Sequence, residues 1–243
     1  MKHYKGEQSK MLKEIQIYFL LFFIYSVLGW CMEVLNTFRV EKKFVNRGFL
    51  IGPYCPIYGF GVLLITLLLK KYVNDIVVTF IFSILICAIL EYLTSYILEK
   101  IFYARWWDYS NRKFNINGRV CLGNLLIFGI LGCFIIYISN PFLITILKKV
   151  PNFVLNIISS ILLIGYITDT VISSNVIINL KDVSKTLNKD HTEEISEKVK
   201  RIIQSKFTLQ RRLLKAFPNI RNTINFEELI EKAKKKIKKI KEK

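Results

Sequence analysis

Three carboxylates stand inside otherwise uncharged apolar stretches: Glu33, Glu91 and Asp169. An acid at the centre of a spanning helix costs about 2.5–3.5 kcal/mol on insertion scales, so such a group faces protein or water. Protonation, or pairing with Arg47 and Arg119, would neutralise it. The chemistry open to these residues is a proton, cation or polar-substrate pathway. The competing use is structural: hydrogen-bonded packing between helices, or, for Glu33, snorkelling to the interface.

Depth separates the three. Glu33 precedes Arg39 by six residues, about 9 Å of helix. Glu91 precedes Lys100 by nine, about 13 Å. Both therefore lie in the half of the bilayer nearest the basic loops. Asp169 precedes Lys181 by twelve, about 18 Å, near mid-span. It sits in a polar stretch with Asn156, Thr168, Thr170, Asn175 and Asn179.

A second constellation lies between residues 103 and 119. Trp106, Trp107 and Tyr109, interleaved with Arg105, Asp108 and Arg112, could grip a headgroup, sugar or phosphate by stacking and charge. An interfacial aromatic belt with basic flanks accounts for all of these except Asp108. Familiar hydrolytic chemistry is unsupported: His3 and His191 lie outside the apolar stretches, and neither HExxH nor G-x-S-x-G occurs. An enzyme acting on a lipid-linked substrate would have to use Glu91 or Asp108 as acid–base, with Arg105 or Arg119 on phosphate. No cofactor is expected and no metal-ligand set is legible. Cys31, Cys55, Cys87, Cys121 and Cys133 form no CxxC pair and read as small buried hydrophobes.

The elements that must position these side chains are membrane helices. Of the 243 residues 52% are hydrophobic, yet the net charge is +18. The two properties are segregated, unlike the interleaved pattern of a soluble domain. Ile15–Leu35, Ile76–Leu98, Val120–Ile138 and Phe153–Leu180 are nearly free of charge, and runs of about 20 apolar residues match the hydrocarbon core. The run Phe49–Leu69 is uncharged too, but Gly52, Pro53 and Pro56 break its first part. A helix starting near Ile57 would have about 13 residues, short for a full crossing. The Gly-Pro segment then enters the membrane in non-helical form, which requires protein or water to satisfy its backbone, or the span is thin. The fold class expected is all-α: a polytopic membrane protein of about five transmembrane helices.

Basic residues orient it. With five spans, the segments alternating with the tail carry 28 Lys and Arg against 8 on the other side. This places the N-terminus outside and the C-terminus in the cytoplasm, with Lys2, Lys5, Lys10 and Lys13 dissenting. The expected division is an N-terminal segment 1–14, a transmembrane domain 15–180 and a basic cytoplasmic tail 181–243. The first span is too long for a signal peptide, contains Glu33 and lacks a small-residue cleavage site.

Two hairpins of the membrane region look alike. Each has a helix with an acid (Glu33, Glu91), a basic loop (ending Asn46-Arg47-Gly48, or Asn117-Gly118-Arg119) and a Gly-rich span. A parallel repeat of this kind would place a site at the interface of its halves. In the tail, apolar stripes Ile195, Val199, Ile202, Ile203, Phe207 and Phe226, Leu229, Ile230, Ala233, Ile237, Ile240 predict amphipathic helices, the second capped by Asn225 with Glu228. Their lysine-rich faces suit anionic lipid or a protein partner. Nucleic acid is not favoured, because the membrane is the nearer polyanion.

Gly29-Trp30-Cys31-Met32-Glu33, the run Asn46-Arg47-Gly48 through Tyr58-Gly59, and Trp107-Asp108-Tyr109-Ser110 with Asn117-Gly118-Arg119 carry a resemblance. Over roughly residues 15–180 the chain resembles the bacterial membrane family labelled ABC-transporter type IV permease, or CmpB-like. The resemblance implies transport, a multi-pass place in the bacterial cell membrane, and an ATPase supplied by a separate chain. This sequence has no GxxxxGK[ST] phosphate loop of its own. No EAA-type coupling motif is evident, and the family supplies no catalytic or substrate residues. The leading expectation is a permease subunit with an inner-leaflet site of Glu33, Glu91 and Arg119. The alternatives are the lipid-directed enzyme above, or a non-catalytic regulator or scaffold acting through the tail.

Overall fold

In hydrocarbon every backbone N–H and C=O must be satisfied within the protein, and a helix does this locally. The computed structural model describes residues 2–102, 105–187 and 212, and it is built on that rule. Helix α1 spans Lys2–Glu41, α2 Pro56–Leu68, α3 Ile76–Phe102, α4 Leu122–Phe134, α5 Asn140–Lys149 and α6 Asn152–Leu187. A π turn, Ile135–Ser139, joins α4 to α5. Pro141 in the first turn of α5 offers no amide, so the hydrogen-bond ladder loosens there but the rod continues.

Among the described residues four helices are long and apolar enough to cross a membrane: α1, α3, the joined α4–α5 rod Leu122–Lys149, and α6. The fifth element is α2, which has 13 residues. It starts at Pro56 and is preceded by irregular backbone, as the Gly-Pro segment predicts. The chain is an all-α polytopic helical membrane protein. Helix α1 is continuous from Lys2, so the expected boundary at residue 14 falls inside a helix. The tail stripes at 195–207 and 226–240 lie outside the described residues.

Small residues let the hairpins close. Gly59 on α2 abuts the Phe22 carbonyl and Ser26 of α1, while Gly132 on α4 abuts Ser83 of α3. Without a hydrophobic drive between helices in lipid, such close backbone approach supplies the packing. A buried polar knot then ties the hairpins together. The Tyr25 hydroxyl lies 2.7 Å from Ser139 Oγ and 2.8 Å from Asn140 Oδ1, and Asn140 Nδ2 donates to Thr66 Oγ1 at 2.7 Å. Large side chains such as Leu35, Ile81, Ile130 and Ile164 are exposed on the outside, as suits lipid contact.

The two ends of the bundle differ. At one, Lys13 Nζ donates to the carbonyls of Lys148 and Val150, at 3.0 and 3.2 Å, across the α5–α6 turn. At the other, both long basic loops meet, with the rings of Phe49 and Trp106 edge to face at 5.4 Å.

Candidate functional site

Glu33 and Glu91 lie on the long helices α1 and α3, toward the end where the loops converge. Each receives a tyrosine hydroxyl from the far side of its own hairpin. Tyr58, in the first turn of α2, donates to Glu33 Oε1 at 2.6 Å. Tyr109, in the loop before α4, donates to Glu91 Oε1 at 3.1 Å and also bonds Asn124. Burial, and then the Glu91 carboxylate beside it, raise the Tyr109 phenol well above its ordinary value. It therefore stays a donor at neutral pH. The second oxygen, Glu91 Oε2, is buried with no hydrogen-bond partner, and the whole residue is only 7% exposed.

The two pairs lie within electrostatic reach of each other. Glu33 acts electrostatically on both Glu91 and Tyr109. Cys55 lies in the field of Glu33 and of Arg47, and Cys87 in that of Glu91. Tyrosine is the residue type that charge-based reading misses. In the sequence Tyr58 is marked only by its place in the Gly-rich run, and Tyr109 reads as part of the gripping aromatic loop and not as a partner of Glu91.

Asp169 has a different task. Its Oδ1 accepts from the Ile51 amide and Ser173 Oγ, at 2.9 and 2.8 Å. Its Oδ2 accepts from the Gly52 amide at 2.8 Å and the Tyr54 hydroxyl at 2.6 Å. The mid-span acid thus satisfies the backbone that the Gly-Pro break leaves without helical partners. The same segment is tied to α1, where Trp30 Nε1 donates to Asn46 Oδ1 at 2.7 Å and the Cys55 amide to the Ser26 carbonyl at 2.8 Å. Arg47 lies within this loop, its carbonyl facing Cys55 Sγ at 3.7 Å. Arg212 of the tail also reaches it, donating from Nη2 to the Phe49 carbonyl at 3.2 Å.

Arg119 does not pair with the membrane acids. Its Nη1 meets Glu99 Oε2 at 2.7 Å, and the guanidinium lies over the rings of Tyr92 and Tyr96. Glu99 lies two turns beyond Glu91 on α3, nearer the loop, and takes the charge first. Its shared oxygen also meets Arg105 Nε at 3.2 Å, and Arg105 Nη1 lies 3.6 Å from Asp108 Oδ1. In these ion pairs the acids are Glu99 and Asp108.

The aromatic loop is largely internal. Trp106 is buried against Phe49, and Trp107 Nε1 donates to the Arg119 carbonyl at 2.9 Å. Arg112 is exposed. Asp108 closes a turn, accepting from the Ser110 hydroxyl and amide at 2.5 and 2.9 Å. Those two bonds hold its carboxyl below the usual range. A small antiparallel hairpin, β1 Asn115–Ile116 and β2 Val120–Cys121, returns the chain to α4. Asn117 and Gly118 turn it with φ of 54° and 67°, a conformation that Asn-Gly pairs adopt readily. The Gly118 carbonyl then accepts from the Tyr109 amide at 2.7 Å, which fixes Tyr109 toward Glu91.

The arrangement can hold a positive charge, or pass a proton, between two carboxylates in a buried setting. Among the described residues no group of three or more His, Cys, Asp or Glu could bind a metal in the manner of a ligand cluster.

Residues 20–174 match the model of the family described as "Putative ABC-transporter type IV". The chain belongs to that family. The match takes in both hairpins, from Glu33 to Arg119, and Asp169 near its end. The family region therefore coincides with the bundle that builds the carboxylate–tyrosine pairs, and the basic tail follows it. Comparison with curated proteins and with solved structures gives no match.

Proposed function

We propose that this protein is the permease subunit of a transport system in the bacterial cell membrane, with its polar site between the two hairpins. The observation that carries the reading is Glu91, buried at 7% exposure with one carboxylate oxygen unpartnered, in the field of Glu33 from the other hairpin. A buried, half-satisfied acid is costly to a merely structural bundle and is common in substrate and ion pathways. Glu33, Glu91, Tyr58 and Tyr109 form the site. Arg119 and Arg105 shape the loop that covers it, with Trp106, Trp107 and Asp108. Asp169 and Arg47 hold or flank the broken segment at its side.

Family membership favours a separate ATPase as partner. It would dock on the basic loops, which the charge distribution assigns to the cytoplasm together with the tail, leaving the N-terminus outside. The tail, through its lysines, would lie on anionic lipid or recruit a protein. The test is purification of the full chain from native membranes in mild detergent, followed by reconstitution of whatever ATPase co-elutes. ATP-dependent flux or ATP turnover stimulated by the chain is the expected result. It should fall at least about tenfold, some 1.4 kcal/mol, in Glu33→Gln and Glu91→Gln at equal membrane abundance. Unchanged flux in both variants would remove the site assignment, and absence of any ATPase would remove the permease reading.

A further inference from the structure

Resting on the transport reading, we infer that Glu33 and Glu91 together hold one monovalent cation, a proton or an alkali-metal ion, as the species that the site takes. The oxygens at hand are hard donors. Two carboxylates and the hydroxyls of Tyr58 and Tyr109 converge from four segments of the chain. The hydroxyls occupy Oε1 of each acid, and Glu91 Oε2 is buried without a donor. Oxygen donors select protons and hard metal ions over soft ones.

The surroundings leave the charge to be met by a ligand. The groups facing the pair are Tyr58, Cys55, Tyr109, Cys87 and the Asn124 amide, with Arg47 acting on Cys55. Arg119 and Arg105 are engaged by Glu99 and Asp108. Glu91, buried and with a second carboxylate, Glu33, acting on it, is costly to leave uncompensated. A single positive charge shared between them offsets most of that cost and, being only singly charged, can still leave. Departure matters, because conduction needs binding strong enough to enter and weak enough to release.

The experiment uses the purified full chain without ATP or partner and the probe dicyclohexylcarbodiimide. A protonated carboxyl adds its oxygen to the carbodiimide carbon and gives its proton to nitrogen. Acyl migration then leaves a stable N-acylurea that mass spectrometry locates, with nothing oxidised or reduced. Labelling of Glu91 is expected, and Glu91→Gln should abolish it. If an alkali-metal ion is the ligand, NaCl or KCl lowers labelling about tenfold against choline chloride at equal ionic strength, and Glu33→Gln removes that protection. Should the proton be the ligand, labelling rises as pH falls and ignores the alkali ions, with Glu33→Gln shifting its midpoint. Thermal unfolding of the same samples gives a second reading: stabilisation by the alkali ion, or by lower pH, is lost in both variants.

No labelling at any pH together with no cation- or pH-linked stabilisation overturns the inference, as does protection by divalent ions alone. These results do not depend on flux. A chain that binds the cation yet transports nothing would disprove the transport reading and leave the cation site standing. A chain that transports a neutral solute with Glu91 unlabelled and unstabilised would do the reverse.

Discussion

The carboxylate of Asp169 accepts a hydrogen bond from the backbone amide of Gly52 at 2.8 Å, across 117 residues of sequence. This bond and its companion from Ile51 at 2.9 Å hold the break that precedes α2. They make the last helix a support for the second span.

Truncating that support should loosen the whole bundle. Asp169→Ala leaves two amides and the hydroxyls of Tyr54 and Ser173 without their acceptor, and each such loss costs about 1–3 kcal/mol, at the low end here because the carboxylate is only half-buried. Asp169→Asn keeps one acceptor oxygen and should fall between. Thermal unfolding in detergent measures the order wild type, Asn, Ala. Equal melting of all three would show that water replaces the acid freely.

A second prediction concerns helix contact. An alanine Cβ at Gly59 would lie 2.5 Å from the Phe22 carbonyl oxygen, a backbone atom that cannot swing aside. Gly59→Ala should therefore push α1 and α2 apart and cost about 1–3 kcal/mol. Gly165→Ala is the control, since nothing lies within 4 Å of its Cβ position. A melting temperature lowered by the first substitution and held by the second would confirm the contact. Because alanine favours the helix over glycine, the control should hold or gain stability, and equal melting of both variants would show that the Phe22 contact gives way.

The Asp108 turn has a pH signature. Bonds from the Ser110 hydroxyl and amide depress its carboxyl in the folded protein, so the unfolded chain takes up the proton first as pH falls. The turn's contribution is complete above the ordinary carboxylate value, about 4, and is lost as pH drops through the lower folded value. Because Asp108 is exposed, the effect should be small and salt-sensitive. Amide hydrogen exchange of residues 108–112 should quicken only in that acidic window. Asp108→Asn should abolish the step, and a step of the same size in the variant would assign it elsewhere.

Much of the architecture was legible from local pattern. Hydrocarbon demands uncharged runs of helical length, so four spans and the short fifth could be read from composition alone. The break at Gly52-Pro53-Pro56 could be read too, because proline and glycine act on their own backbone. The acids Glu33, Glu91 and Asp169 drew notice by type and place. Their roles did not follow, since whether an acid is satisfied depends on what lies across the bundle.

The pairings show this. By charge Arg119 is a partner for the membrane acids, but Glu99, two turns closer to the loop than Glu91, intercepts it at 2.7 Å. Trp106 and Trp107, read as a gripping surface, turn inward because Phe49 and the Arg119 carbonyl meet them there. Alone among the residues proposed for the loop, Asp108 needed a reason beyond the aromatic belt, and a local Ser110 turn supplies it.

The sequence by itself determined the solvent: segregated charge and apolar length place this chain in a bilayer, because those properties act residue by residue along the helix. Tertiary structure decided which acid is spent and which is left. Asp169 makes four hydrogen bonds to groups far away in sequence or one turn along its helix, whereas Glu91 keeps a buried oxygen with no partner. That difference arises only when separate helices converge, since a carboxylate's partners are fixed by distance in space and not by position in the chain.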